Sequence, residues 1–260
     1  MSVLRVIALL MLAAIAPSRA SADAISANER RSGASFMAPE TRAMQADDTA
    51  NPGMLGVLDG AALWDKTTGA ADKSCASCHG DARASMTGVA AHYPAFDETL
   101  KRPVDLEQRV NLCRANHQQA ALLAADSREM LALTALIGRQ SRGMPIDVNA
   151  DPRLTPFIAK GRDLFMRRQG QLNLGCTNCH DDNWDKRLAG SAITQAHPTG
   201  YPVYRLEWQG LGSLQRRLRN CMIGMRAQPF EADAPETVEL ELFLMSRAHG
   251  MPVETPAVRP

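Results

Sequence analysis

The sequence of 260 residues predicts an all-α protein built from two tandem domains that are related by internal duplication. The first observation is a pentapeptide of the form Cys-x-x-Cys-His, which occurs at residues 75–79 and again at residues 176–180. The second is that helical periodicity and helix-capping patterns follow each copy, whereas no two segments have the pattern of paired strands. The third is a set of matched residues that flank both copies at nearly constant spacing.

The pentapeptide is the attachment motif of c-type haem. Its two thiols lie one helical turn apart and add to the haem vinyl groups, and the adjacent histidine is placed under the iron as proximal ligand. We therefore predict two covalent c-type haems, in two cytochrome c-like domains, with His79 and His180 as iron ligands. The predicted attachment residues are Cys75 and Cys78 in the first motif and Cys176 and Cys179 in the second.

The duplication extends beyond the motifs. The two motifs differ by 101 in residue number, and the same difference relates upstream residues. Downstream the difference rises to 107 or 108, because the second copy has a longer loop after its motif. The upstream pairs are Gly60 with Gly161 and Trp64 with Phe165; the downstream pairs are Arg109 with Arg217, Cys113 with Cys221, and Met144 with Met251.

Residues 1–22 are predicted to be a cleaved secretory signal. They combine a positive charge at Arg5, an apolar run over residues 6–15 and a small-residue cleavage site at residues 20–22. The apolar run is shorter than the roughly 20 residues that a membrane-spanning helix needs. We therefore expect a periplasmic protein that has no membrane span after cleavage.

The mature chain is predicted to have three parts. Residues 23–52 lack clear periodicity and are expected to be a loosely ordered lead-in that could wrap the second domain or a partner. Residues 53–150 form the first cytochrome c-like domain and residues 151–260 the second. Cleavage removes two arginines and no acid, so the formal net charge falls from +1 to −1. Such a chain has no global basic field for nucleic acid.

Capping patterns predict where three helices begin. Thr155, which precedes a proline, is the predicted N-cap of a helix that ends near Arg168. Asp126 and Glu129 have the spacing of a capping box at the start of the final helix of the first domain. Residues 233–236 repeat this pattern in the second domain.

Each domain also needs a second axial ligand for its iron. Cys113 and Cys221 lie between the haem motif and the final helix, where a distal ligand is expected, whereas Met144 and Met251 lie beyond the final helix and are interpreted as packing residues. A disulfide between Cys113 and Cys221 is the alternative in an oxidising compartment. Because each cysteine is in register with its own motif, we favour thiolate ligation, which lowers the reduction potential relative to methionine.

The second copy is more basic around its cysteine than the first. Guanidinium groups bind small oxyanions, and positive charge favours the thiolate form of a nearby cysteine. An anion site near Cys221 is therefore one hypothesis; contacts to haem propionates and a solvated helix face are the alternatives. The arginines concerned are Arg216, Arg217, Arg219 and Arg226.

A family resemblance adds to this interpretation. The segment 204–221, continued by residues 226–230, resembles the SoxA subunit of the SoxAX cytochromes, and residues 139–145 of the first copy match as well. The similarity covers residues 53–252, and the segment that ends at Cys221 is far more specific than the haem motifs.

The resemblance implies a periplasmic L-cysteine S-thiosulfotransferase, which couples thiosulfate to a cysteine of the carrier SoxYZ. Such a subunit pairs with SoxX, a monohaem cytochrome c, and electrons pass to a cytochrome c acceptor. By the same resemblance, Cys221 is the catalytic sulfur, found as a persulfide in the family, and Arg217 binds the substrate. The implied iron ligands are His79 and Cys113 for the first haem and His180 and Cys221 for the second.

Other functions remain open at this point. A dihaem thiosulfate dehydrogenase that forms tetrathionate would also use His/Cys ligation, and a plain electron-transfer dihaem cytochrome c would have the Cys113–Cys221 disulfide. A dihaem peroxidase is disfavoured, because Met144 lies past the final helix. Arg247, the repeat counterpart of Arg142, is a candidate for a second anion contact.

Overall fold

The structure is a computed structural model, and it describes residues 25–260. The predicted signal, residues 1–22, lies outside the described residues. In the first half of the described chain the α-helices are α1 (Pro39–Ala46), α2 (Gly53–Asp65), α3 (Ala76–His79), α4 (Ala82–Ser85), α5 (Leu106–Cys113) and α6 (Arg128–Arg139). In the second half they are α7 (Thr155–Met166), α8 (Cys176–His180), α9 (Leu214–Gly224) and α10 (Pro235–Arg247).

Shorter helical turns connect these elements. A π-helical turn, Arg114–Gln118, continues directly from α5. The 3-10 turns are Ala27–Glu29, Gly33–Phe36, Val89–His92 and Pro152–Leu154. No helix in residues 25–260 is both long enough and apolar enough to cross a membrane.

The chain is mostly helical, as the sequence predicts, but the expectation that it has no paired strands is wrong. Each strand has only two or three residues, so the alternation over four to eight residues that identifies a strand in a sequence cannot develop. The strands are β1 (Ala95–Asp97), β2 (Arg102–Val104), β3 (Arg187–Leu188), β4 (Ser191–Ala192), β5 (Val203–Arg205), β6 (Gly210–Gly212) and β7 (Ala257–Arg259).

The strands form two hairpins and one three-stranded sheet. β1 pairs with β2, and β3 with β4, both antiparallel. In the three-stranded sheet β5 is central, antiparallel to β6 and parallel to β7. The hairpin β1–β2 runs into α5, and the pair β5–β6 runs into α9, so each trailing cysteine follows the same hairpin-and-helix unit.

Each half is built around one crossing helix pair: α2 packs on α6, and α7 on α10. A glycine stands at each crossing. A Cβ atom on Gly60 would lie 2.2 Å from the carbonyl oxygen of Ala132, and one on Gly161 would lie 1.9 Å from that of Glu239. These distances are far below van der Waals contact, so only glycine allows the two backbones to approach this closely.

The two halves are joined through the repeated Gly-Met-Pro segments, residues 143–145 and 250–252. The amide of Ile146 donates to the carbonyl of Met251 at 2.9 Å, and the amide of Val253 donates to that of Met144 at 2.9 Å. Met251 packs against a small apolar cluster that contains Ile146 and Val253. Met251 thus packs at the junction between the halves, as a packing residue does, whereas Met144 contributes backbone hydrogen bonds there and its side chain is 37% exposed.

The lead-in contacts the second half. The side-chain amide of Asn51 donates to the carbonyl of Pro256 at 2.9 Å, and Arg30 donates to the carbonyl of His249 at 2.9 Å. The amide of Val258 in β7 donates to the Gln45 side chain of α1 at 3.1 Å. Residues 25–52 therefore include a helix that is held by the C-terminal strand.

The helix starts differ from the predicted caps by one or two residues. Ser127, not Asp126, caps α6 by accepting from the amide of Met130. Asp126 instead accepts from the amide of Ser213, the N-cap residue of α9, at 2.8 Å. Thr155 is the first residue of α7 rather than its cap, and α10 begins at residue 235 without a side-chain cap. At Asp126, a tertiary contact to the other half thus overrides the local capping pattern.

The helix crossings lead to the first prediction. Gly60→Ala and Gly161→Ala should each destabilise the protein by about 1–3 kcal/mol, because the added methyl group overpacks the crossing. Urea unfolding of the haem-loaded protein measures this as a lower midpoint. Gly224→Ala is the matched control, since a Cβ there meets nothing within 4 Å and alanine favours the helix. Equal midpoints for all variants would contradict the crossing.

Three carboxyl groups meet where α5, α9 and α10 pack together. Asp105 accepts from the side-chain amide of Gln215 at 2.6 Å. Burial raises the pKa of Asp105 to about 6. Burial, with the charges of Asp105 and Asp126 adding to it, raises the pKa of Glu107 to about 8. Burial, with the charges of Asp105 and Glu107 adding to it, also raises the pKa of Glu241.

These pKa shifts predict a pH-dependent stability. The pKa of Glu107 is about 8 in the fold against 4.5 for the ordinary group, so its protonated form is favoured by folding, and this stabilisation is lost as the pH rises towards 8. Glu107→Gln should therefore raise the melting temperature more at pH 8 than at pH 5. Glu40→Gln, on exposed α1, controls for the loss of one charge. An equal effect of Glu107→Gln at both pH values would refute the prediction.

Candidate functional site

Both pentapeptides fold as one helical turn that is fixed by a side chain within the motif. In the first, Ser77 and Ser74 each accept from the amide of the other at 3.0 Å. In the second, the Asn178 side chain accepts from the amide of Gly175 at 3.0 Å. The two cysteines of each motif therefore lie one turn apart, as covalent attachment to one porphyrin edge requires.

The second motif histidine is held in the form that a metal ligand needs. Nδ1 of His180 lies 2.6 Å from the carbonyl oxygen of Thr194. Burial lowers the pKa of His180 to about 4, with smaller contributions from Arg217 and Arg247. The imidazole is therefore neutral and donates its Nδ1 proton to the carbonyl, which leaves the Nε2 lone pair for iron.

An aromatic ring packs near each motif histidine. The ring centroids of Trp64 and His79 are 5.7 Å apart, and those of Phe165 and His180 are 6.4 Å apart. Trp64 also donates to the carbonyl of Gly80 at 2.8 Å. Both aromatic residues are buried and stand one helical turn after the crossing glycine of their helix.

Each trailing cysteine lies beside its own motif. Burial raises the pKa of Cys75, with a further contribution from Cys113. Burial likewise raises the pKa of Cys176 and of Cys179, with a contribution from Cys221 in both cases. Cys113 and Cys221 are free in the structure. The structure therefore places one extra thiol near each Cys-x-x-Cys-His turn, and this donor set fits a haem with histidine and thiolate on its iron.

Arg217 stands one helical turn before Cys221 and is charged without a counter-ion. Its guanidinium forms no hydrogen bond or ion pair with any residue in 25–260, and its charge acts on His180, Tyr201 and Arg205. It lines a cavity of about 340 Å³ between the lead-in, the β3–β4 hairpin and β5. Polar residues that share this cavity include Thr194, His197, Thr199, Tyr201, Arg205 and Arg259.

The other arginines of the basic segment have different roles. Arg216 pairs with Asp126 at 3.4 Å, and its guanidinium lies 4.2 Å from the ring centroid of Trp208. Arg219 and Arg226 are exposed. The structure therefore brings only Arg217 of the four predicted arginines to the electrostatic neighbourhood of His180 and Tyr201.

Arg247 is engaged in the interior rather than offered to an anion. Its guanidinium pairs with Asp181 at 2.7 Å, and the two side chains are 5% and 9% exposed. The same guanidinium lies 4.8 Å from the ring centroid of Phe165. Because Asp181 directly follows His180, this ion pair fixes the end of the motif helix α8.

Two residues of the site escaped the sequence analysis. Burial raises the pKa of Tyr201, and both Arg217 and Cys221 are among the charges that act on its hydroxyl. The charge of Arg217 also lowers the pKa of Arg205, which lies in β5. A signal was available for Tyr201, because it stands 108 residues after Tyr93, the spacing that relates the trailing cysteines.

Comparisons with known proteins agree with this arrangement. The family model described as SoxA/TsdA, cytochrome c domain, matches residues 59–146 and again residues 160–253. The SoxA subunit of L-cysteine S-thiosulfotransferase from Pseudaminobacter salicylatoxidans is 40% identical over 89% of this chain and 82% of that protein. The subunit of the same name from Rhodovulum sulfidophilum is 37% identical over 89% of this chain and 81% of that protein.

A solved structure has the same fold. The chain matches the crystal structure of SoxXA from P. pantotrophus with a TM-score of 0.86 and 34% identity, over 89% of this chain and 87% of that chain. Two cytochrome c domain matches in tandem agree with the two Cys-x-x-Cys-His turns and indicate c-type haem as the cofactor class. The chain therefore belongs to the SoxA/TsdA cytochrome c family, and within it to the SoxA proteins.

Proposed function

We propose that this chain is the dihaem subunit of a periplasmic L-cysteine S-thiosulfotransferase. In this reaction, thiosulfate is coupled oxidatively to a cysteine of a SoxYZ carrier protein. The observation that carries the proposal is the Arg217 guanidinium, which has no counter-ion in residues 25–260 and stands one turn before Cys221. The names of the SoxA relatives, at up to 40% identity, support the same activity.

We infer two haems, one for each Cys-x-x-Cys-His turn and its trailing cysteine. Thioether bonds from Cys75 and Cys78 would hold the first haem, and bonds from Cys176 and Cys179 the second. The proposed axial ligands are His79 and Cys113 for the first iron and His180 and Cys221 for the second. When bound, the haem iron supplies the one-electron acceptor that this oxidation needs.

The sulfur chemistry then needs one oxidation and one exchange. In the oxidation, an S–S bond forms between the Cys221 thiolate and the terminal sulfur of thiosulfate, and two electrons leave. In the exchange, a carrier thiolate attacks that terminal sulfur, the bond to Cys221 breaks, and the Cys221 thiolate is the leaving group. The electron acceptor is a cytochrome c.

The protein contributes position and charge. Arg217 binds the sulfonate end of thiosulfate and offsets its negative charge, which would otherwise be repelled by the Cys221 thiolate. The Thr194 carbonyl oxygen lies 2.6 Å from Nδ1 of His180; this contact keeps the proton on Nδ1 and orients the ring so that Nε2 could bind iron. The buried Asp181–Arg247 pair maintains the helix end that carries His180.

The assembly follows from the relatives. The solved neighbour is a complex named SoxXA, and we propose a SoxX-like monohaem cytochrome c as partner of this chain as well. Residues 1–22 would direct export to the periplasm, residues 23–52 form the lead-in, and residues 53–150 and 151–260 form the two domains. The matched hairpin-and-helix units and crossing glycines support an origin of these domains by duplication.

Thiosulfate dehydrogenase is the second candidate function, because the matching family model includes TsdA. That enzyme would join two thiosulfates to give tetrathionate and would need no carrier. Product analysis with and without SoxYZ separates the two activities. Tetrathionate formed at the full rate without a carrier would refute the proposed transferase.

Substitutions test the catalytic assignment. Cys221→Ala should abolish thiosulfate-dependent modification of the carrier, followed by intact mass of SoxY, while both haems stay attached. Arg217→Ala should weaken the use of thiosulfate by about 10- to 100-fold, because a charge-assisted hydrogen bond is lost. Arg128→Ala, which removes an arginine whose side chain is 82% exposed, is the matched control. Full activity of either site variant contradicts the assignment.

Mass and spectroscopy test the cofactor assignment. The mature protein should carry the mass of two haems, and a persulfide on Cys221 would add about 32 Da. Electron paramagnetic resonance should show two low-spin ferric signals of thiolate type. Cys113→Met should convert one of them and leave carrier modification less affected than Cys221→Ala does. A mass that shows a Cys113–Cys221 disulfide would contradict thiolate ligation of both irons.

A further inference from the structure

The two trailing cysteines end the same structural unit, repeated at a constant difference of 108 in residue number. In the first half the unit is β1, β2 and α5, and in the second it is β5, β6 and α9. The strand registers agree, since Asp97 pairs with Arg102 and Arg205 pairs with Gly210. Residues at matching numbers in the two units therefore occupy matching places relative to Cys113 and Cys221.

In the first unit, the arginine that precedes the cysteine is neutralised from within the chain. Arg109 pairs with Asp97 at 2.8 Å and donates to the hydroxyl of Tyr93 at 3.2 Å. The Asp97 side chain is 9% exposed, and its Oδ1 also accepts from the amides of Thr99 and Leu100. These contacts hold the Asp97 carboxylate beside Arg109, where it takes the position that an external anion would otherwise occupy.

In the second unit, the residue that corresponds to Asp97 has the opposite charge. Arg205 stands where the first unit has Asp97, and it lines the same cavity as Arg217. Burial lowers the pKa of Arg205, and the charge of Arg217 is the next contribution to that shift. Arg205 keeps one ion pair, with Glu207 at 2.7 Å, and its Nε is buried without a hydrogen-bond partner among the described residues.

We propose that the residue at this place, Asp97 or Arg205, decides which of the two haem-bound cysteines accepts an anionic substrate. Arg205 acts with Arg217 as a second anion-binding residue beside Cys221. Asp97 pairs with Arg109 and so prevents an anion from binding at the corresponding position beside Cys113. This inference rests on the proposed function for the identity of the anion as thiosulfate, whereas the pattern of anion binding is independent of it.

The electrostatics favour a dianion at the second unit. Two guanidinium groups that share a partly buried place repel each other, and a ligand with two negative charges removes this repulsion and satisfies both. Glu207 neutralises only part of the charge, because it is one carboxylate for two guanidinium groups and solvent screens its 49% exposed side chain. The hydroxyl of Tyr201 adds a neutral donor next to Arg217 and Cys221.

Calorimetric titration of the haem-loaded protein with inorganic sulfate tests the second unit, because sulfate has the same charge as thiosulfate and does not react. The wild type should bind one sulfate. Arg205→Gln should weaken binding by about tenfold, the loss of one charge-assisted contact, and Arg205→Lys should restore part of the affinity. Arg128→Gln is the control for loss of an exposed arginine. Unchanged affinity in Arg205→Gln overturns the role of Arg205.

Kinetics provide an independent readout. Arg205→Gln should raise the KM for thiosulfate by about tenfold with a smaller change in kcat, because Cys221 and its iron ligation are intact. Arg205→Asp should lose nearly all affinity for the anion, since the new carboxylate can pair with Arg217 as Asp97 pairs with Arg109. Unaltered haem absorption spectra show that both variants are folded. An Arg205→Asp variant with wild-type KM overturns the inference.

Asp97→Asn tests the first unit. Asparagine keeps an oxygen for the amides of Thr99 and Leu100 but releases the charge of Arg109, so the number of bound sulfates should rise from one to two. A stoichiometry that stays at one overturns the role of Asp97. These outcomes are distinct from failure of the proposed function, which tetrathionate formation without carrier would reveal while the sulfate titrations stayed as expected.

Discussion

The backbone contact between the two helices of each half is the constraint on which the haem sites depend. Gly60 and Gly161 let α2 and α7 approach the carbonyl groups of their partner helices. One turn later, each helix places a buried aromatic ring beside the motif histidine, Trp64 near His79 and Phe165 near His180. A side chain at the crossing would displace this ring, and with it the motif histidine that would bind the haem iron.

Within this shared frame, the two sites differ in charge. The first has an internal ion pair, in which the Asp97 carboxylate holds Arg109. In the second, Arg205 and Arg217 line the same cavity, and Arg205 pairs with the exposed Glu207. A guanidinium group that no carboxylate neutralises favours binding of an external anion. The proposed difference in anion binding between the two sites rests on this difference in charge.

The junction between the halves also shapes the catalytic side. The Gly-Met-Pro segments hydrogen-bond to each other, and the lead-in is held by the C-terminal strand β7. The backbone amide of Ser213, the N-cap residue of α9, donates a hydrogen bond to the Asp126 side chain of the first half. The helix that carries Arg217 and Cys221 is therefore positioned by both halves. A change at Asp126 in the first half can therefore affect the position of Cys221 through this contact.

Sequence alone determined the features that depend on local spacing: the two haem turns, the cysteine that trails each of them, and Arg217 one turn before Cys221. The haem turns and the spacing of Arg217 and Cys221 are set by the pitch of single helices, and the trailing cysteines are identified by their matched positions in the two copies. Only the tertiary structure showed the Asp97–Arg109 pair, Arg205 beside Arg217 and the burial of Arg247 against Asp181. Each of these contacts joins residues from different elements, so it forms only when a hairpin or a distant helix packs on the site. Strands of two or three residues are too short to show a sequence pattern from which their pairing could be predicted.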